Sequence, residues 1–219
     1  MAERRHGLPA ELARFPLSTM RPQDAASVYA HPRPQVARLV RNGDLYQPAR
    51  GFYVVVPRDR VDTAWHPELE AVAAGIATAQ FGEGVPVLMG VSAARLHGAI
   101  PRALATAVVA VPRQHKSIRL MDRRAVIRFV ARDTEKLDAE LMRTELGPVL
   151  ATTAEQTLLD LAHRPGLGEA THDVPAAIRF LWQRSDPHTL DEIAASQRLK
   201  AALTRAEQMA SQGSVHAAP

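Results

Sequence analysis

One segment narrows the folds open to this chain more than any other: "HPRPQVARLVRNG", ending at Gly43, followed at once by "DLYQPARGFYVVV". Pro32 and Pro34 lie a residue apart, and a proline inside a helix removes a hydrogen bond and clashes with the preceding turn. The chain is therefore expected to break at "HPRP". A helix restarts with Pro34 in its first turn, where the missing N–H has no partner to lose. Gly43 follows the last turn, in the place where a left-handed residue stops a helix. Between them Val36, Leu39 and Val40 keep the i, i+3, i+4 spacing of one buried face, which puts Arg38 and Arg41, with Gln35 beside them, on the other. Residues 45–47 and 52–56 are β-rich. Pro48-Ala-Arg-Gly51 joins them, with Gly51 supplying the positive φ that a tight turn needs.

Two further short helices are expected upstream. "LPAELARF" has Pro9 in a first turn, and "STMRPQDAASVYA" offers Ser18 or Thr19 as a cap. Three short helices and then a hairpin is the order of a winged helix-turn-helix, here residues 1–60. Charge supports that division. The net charge of +4 is unevenly spread: residues 1–58 hold nine arginines against four acids, whereas the rest holds 18 cations against 19 anions. A basic module on a near-neutral body points to nucleic acid as partner.

A helix that enters the major groove needs long donors on its outer face. Arginine reads guanine in bidentate fashion and glutamine reads adenine. Gln35, Arg38 and Arg41 meet that need. Arg33 is placed to reach a phosphate, and Ser18 and Thr19 would offer hydroxyls and helix N-terminal N–H groups to another. Arg50 sits at the hairpin tip, and Arg58 leaves the second strand with Arg60. The ordinary alternative is a solvated helix face.

Residues 61–212 read as a mixed α/β domain with C-terminal helices, so the whole chain is α+β, and residues 213–219 read as a disordered tail. A helix is expected over "PELEAVAAGIATAQFG", a strand at "VPVLMG", a short helix at "VSAARLHGA", and a buried strand at "TAVVAVP". "KSIRLMD" and "AVIRFVA" are expected to pair, and "LMRTELGPVLA" to hold one or two more strands. A capping box from Thr152 to Glu155 opens a leucine-rich helix, and helices follow at 174–183 and 190–212.

No catalytic set emerges from this half. Glu135 and Lys136 are adjacent, so on a strand they would face opposite sides, unlike the Glu-x-Lys of restriction-type nucleases. No Gly-rich phosphate loop, kinase signature or histidine metal spacing occurs. His97 suits packing or capping better than ligation. Without cysteine the chain has no disulfide and no thiolate metal site, which fits a reducing cytoplasm. No cofactor, metal or membrane span is expected. One surface remains: "RQHKSIRLMDRR" holds Arg113, Lys116, Arg119, Arg123 and Arg124 with one acid. It is either a guarded sheet edge, a second DNA contact, or a face for an acidic partner.

On these residues the chain resembles the AbiE-type antitoxins, the transcriptional regulators of an abortive-infection toxin–antitoxin system. The likeness covers residues 18–165. Its marks are Gly43-Asp-Leu45, Arg50-Gly51-Phe-Tyr53, the strand and small-residue helix of "VLMGVSAARLHGA", and "PVLATTAEQTLLDLAHRP". The resemblance implies an N-terminal domain that represses its own promoter, double-stranded DNA with an inverted repeat, bound as monomer or dimer. It also implies a C-terminal domain that opposes a neighbouring nucleotidyltransferase-like toxin. Two other readings stay open: an enzyme that modifies the toxin, for example a phosphotransferase with the winged helix as adaptor, or a module that sequesters the toxin. The absence of a catalytic motif weighs against the first.

Overall fold

The structure is a computed structural model that describes residues 8–61 and 63–212; the tail at 213–219 lies outside them. It is α+β. The first lobe contains 3-10 turns at Leu12–Arg14, Pro16–Ser18 and Asp24–Ser27, strand β1 (Thr19–Met20), helix α1 (Pro32–Arg41), and strands β2 (Leu45–Ala49) and β3 (Phe52–Val55). The strands form an antiparallel sheet in the order β1-β3-β2. Leu12, Met20, Ala25, Val36, Leu39, Leu45 and Val55 make its core.

Several details depart from the sequence reading. The first expected helix is the 3-10 turn Leu12–Arg14, and the second shrinks to the 3-10 turn Asp24–Ser27 because "STM" is taken by β1, which pairs Thr19 with Val54 and Met20 with Tyr53. The turn that follows is closed by Asp24, whose carboxylate accepts from Arg21 N at 2.7 Å. Helix α1 begins at Pro32 and takes in both prolines. At the first and third helical positions neither needs an N–H partner. The helix ends as expected: Gly43, at φ 77, donates to Val40 O, and Asp44 N donates to Leu39 O, the paired bonds of a Schellman stop. The hairpin turn is Arg50–Gly51 alone, since Ala49 pairs with Phe52 and Gly51 has φ 81. Pro48 lies inside β2 at a register irregularity between Tyr46 and Ala49, where a strand tolerates a missing donor.

The second lobe is a six-stranded mixed sheet between unequal helical layers. Its strands are β4 (Val87–Leu88), β5 (Thr106–Val111), β6 (Ile118–Arg119), β7 (Val126–Ala131), β8 (Ala139–Thr144) and β9 (Gly147–Thr152), in the order β6-β7-β5-β4-β9-β8. Pairs β5–β7 and β4–β9 are parallel and the others antiparallel. Helix α2 (Leu69–Phe81) covers one face. The other face carries α3 (Val91–Leu96), α4 (Ala154–His163), α5 (Val174–Trp182), α6 (Pro187–Ser196) and α7 (Lys200–Gln212). All six residues of β5 are buried, as an apolar run covered on both faces must be. Ala107, Val109 and Val111 join the α2 side, and Val108 and Ala110 join the other.

Two helix boundaries are corrected. The cap of α4 is Thr153, whose Oγ1 accepts from Gln156 N at 3.3 Å; Thr152 ends β9 and hydrogen-bonds to Thr157. The long C-terminal helix is two, α6 and α7, broken at Arg198, which has φ 58. The two lobes share packing. Gly75 of α2 abuts Thr19, Val54 packs with Ala71 and Leu146, and Ala49 and Phe52 belong to the core on the α2 side.

Candidate nucleic-acid interface

Helix α1 buries Val36 and Leu39 and exposes Arg33, Pro34, Ala37, Arg38 and Arg41. These five positions form one stripe along a ten-residue helix, because residues three or four apart share a face. The small side chains at Pro34 and Ala37 leave the arginines standing above the helix surface. Arg50, at the hairpin turn, and Arg58, in the 3-10 turn Arg58–Arg60, are exposed too. Among the described residues none of Arg33, Arg38, Arg41, Arg50 and Arg58 forms an ion pair, whereas Arg21 pairs with Asp24 and Arg60 with Asp59. A guanidinium with no carboxylate partner keeps its charge and its fork of donors for an external anion.

Three expected contacts are placed differently. Thr19 is 3% exposed and its Oγ1 donates to Leu17 O at 2.8 Å. It lies in a strand packed on α2, so it neither caps a helix nor faces solvent. Ser18 ends a 3-10 turn at φ 50, so no helix N-terminus stands there to bind a phosphate. Gln35 is half-buried, with Oε1 enclosed and without a hydrogen-bond partner; it lies at the edge of the buried face rather than with the arginines.

The second basic segment is divided as well. Arg113, Lys116, Arg119 and Arg124 are exposed. Arg113 also lies 5.9 Å from the Phe81 ring centroid, within cation–π range. Arg123 is not available in the same way: its Nε donates to Asp122 Oδ2 and its terminal nitrogen to Pro67 O, both at 2.6 Å. The segment spans the edge strand β6 and the loop after it. Met121 N donates to Pro48 O at 2.8 Å, which sets this loop against the strand leading to Arg50.

Among the described residues no group of three or more His, Cys, Asp or Glu side chains is placed to hold a metal. His97 Nε2 hydrogen-bonds to Thr152 O at 2.8 Å. Glu135 and Lys136 sit in a 3-10 turn, where Lys136 Nζ pairs with Asp133. The polar groups that the sequence reading passed over are structural in their setting. Glu70, 1% exposed, pairs with Arg95 at 3.2 Å. Asp160 accepts from Arg132 and Gln156, and Gln197 ties those residues together by accepting from Arg132 and donating to Gln156. Burial raises the Asp160 carboxyl to about 6, against the pull of Arg132. A signal for this cluster was present: Gln156 and Asp160 are four apart on a helix otherwise rich in leucine.

A family model described as the AbiEi antitoxin C-terminal domain matches residues 86–211, more than half of the chain. The fold is similar to the crystal structure of the Rv2827c protein from Mycobacterium tuberculosis. That likeness has a TM-score of 0.63 and 20% identity, over 93% of this chain and 75% of that one. No curated protein matches the sequence. Among the described residues no helix is long and apolar enough to cross a membrane.

Proposed function

Since this chain belongs to the AbiEi antitoxin family, we propose that its first lobe is a winged helix-turn-helix through which it binds its own promoter and represses it. One observation carries this reading: among the described residues Arg33, Arg38 and Arg41 stand unpaired on the outer face of α1, with Arg50 unpaired at the adjoining hairpin turn. Helix α1 would lie in the major groove with Arg38 and Arg41 toward base edges, and Arg33 and Arg58 would meet phosphates. The hairpin would be the wing, presenting Arg50 to the backbone or minor groove. Arg113, Lys116, Arg119 and Arg124, exposed on the neighbouring lobe, would add a second DNA contact. Family membership implies a toxin partner. The resemblance favours a nucleotidyltransferase-like toxin, and an inverted repeat would accommodate two copies on the operator.

The regulator half is tested by titrating a promoter fragment and an unrelated duplex at several salt concentrations. Promoter binding should be tighter, and log K should fall linearly with log salt, by about 0.9 per phosphate contacted. Arg50→Ala should leave the melting temperature unchanged and reduce that slope by about one. A parent protein that ignores its promoter at low salt ends this reading. The antitoxin half is tested by co-expression with the adjacent toxin gene, where failure to restore growth would remove it.

A further inference from the structure

The hairpin belongs to the first lobe, yet the loop between β6 and β7 also holds it. Met121 N donates to Pro48 O, two residues before Arg50. Next to it is Asp122, the single acid in a basic segment, with only 8% of its side chain exposed. Asp122 Oδ2 accepts from Arg123 Nε at 2.6 Å and lies 3.8 Å from His66 Nδ1. Arg123 reaches on to Pro67 O. Tyr46, on β2, packs edge-on against His66 at 5.3 Å and Trp65 at 6.4 Å, and its hydroxyl is buried without a hydrogen-bond partner among the described residues. Burial pushes the Tyr46 phenol well above its ordinary range, and the neighbouring Asp122 adds to it. Burial would raise Asp122 as well, but Tyr46 and Arg123 outweigh it and hold the carboxyl below the usual carboxylate range. An anion at this place subtracts from a surface built of cations, so its use has to be sought in what it holds.

We propose that Asp122 is a positioning residue for DNA binding: with Arg123 it braces the His66–Pro67 segment that packs on Tyr46 and the loop whose Met121 N holds Pro48 O, and so sets the direction in which the hairpin presents Arg50. The inference rests on the nucleic-acid reading above. It also makes a prediction opposite in sign to simple electrostatics. Asp122→Asn removes a negative charge from a surface that faces a polyanion, and charge alone would tighten binding. Release of the clamp does the reverse. Arg50 loses its fixed place, the salt slope falls by about one, and affinity at 0.15 M salt falls roughly fivefold. Arg123→Lys keeps the charge and loses the two-pronged grip, so it should weaken binding in the same way, whereas a mere surface cation would tolerate the change.

The experiment measures promoter affinity against salt for the parent, Asp122→Asn, Arg123→Lys, Arg50→Ala and the Asp122→Asn/Arg50→Ala double variant. Hydrogen exchange of the 45–55 amides is followed in the free proteins, with far-UV melting curves as the check on folding. Expected are weaker binding in both clamp variants, a double variant no weaker than Arg50→Ala alone, and faster exchange confined to the hairpin. Affinity in Asp122→Asn equal to or above that of the parent overturns the proposal, and so does unchanged hairpin exchange. Should Asp122→Asn fail to fold, Arg123→Lys decides by the same two readouts. A parent that binds no DNA overturns the function proposed above, and the exchange data then judge the clamp by itself.

Discussion

Gly75→Ala tests how the two lobes are joined. Gly75 lies in the middle of α2, and an added Cβ would stand 2.2 Å from Thr19 Oγ1 and 3.1 Å from Thr19 Cβ. Ordinary contact begins beyond 3.4 Å, so the side chain or strand β1 must move by about an ångström. Thr19 cannot simply turn away, because its Oγ1 is bonded to Leu17 O and the residue is 3% exposed. Turning leaves a buried hydroxyl or carbonyl unsatisfied, at about 1–3 kcal/mol; moving the strand overpacks or opens the joint at a similar cost, about 1–3 kcal/mol. Against this, alanine is a better helix former than glycine by about 1 kcal/mol. The net loss should be about 0–2 kcal/mol. Thr19→Ala alone loses the hydrogen bond and a buried methyl, also about 1–2 kcal/mol. In the double variant the obstructing hydroxyl is gone, so its cost should not exceed that of Thr19→Ala by itself. Urea unfolding of the four proteins, analysed as a double-mutant cycle, measures the coupling. Two effects that simply add, with no coupling between Gly75 and Thr19, would refute this account of the joint.

Asp160→Asn should alter how stability varies with pH. The folded carboxyl titrates at about 6 against 3.8 in its unperturbed form. The folded state therefore holds a proton that the unfolded state has released. Asp160 thus favours folding most below about pH 4, and this contribution falls by about 3 kcal/mol as the pH rises to about 6, then stays flat. The difference in unfolding free energy between parent and variant, measured at pH 4.5 and 7.5, should shift toward the variant at the higher pH; a constant difference contradicts the burial argument. Thr153→Ala removes the Oγ1 that accepts from Gln156 N and donates to Asp138 Oδ2 at 2.7 Å. It should cost about 1 kcal/mol in the same unfolding assay, more than Thr→Ala at exposed Thr204, which lies within α7.

The sequence by itself determined the features that depend on close neighbours. Gly43 ends α1 because a left-handed stop must follow the last turn. Gly51 turns the hairpin for the same steric reason, and the valines of β5 mark a strand covered on both faces. The arginine stripe was legible because helical spacing ties Arg38 and Arg41 to the face away from Val36 and Leu39. The tertiary structure alone decided the features that depend on distant partners. It made Thr19 a buried strand residue through Val54 and Gly75, drew Gln35 toward the core, and turned Arg123 from a surface cation into a brace through Asp122 and Pro67. It also split the C-terminal helix at Arg198, and it placed Asp160 with Arg132 and Gln197. Conformational preference acts within about four residues and is written in local order. Burial and ion pairing depend on which segments meet, and that is settled only when sheets and helices pack.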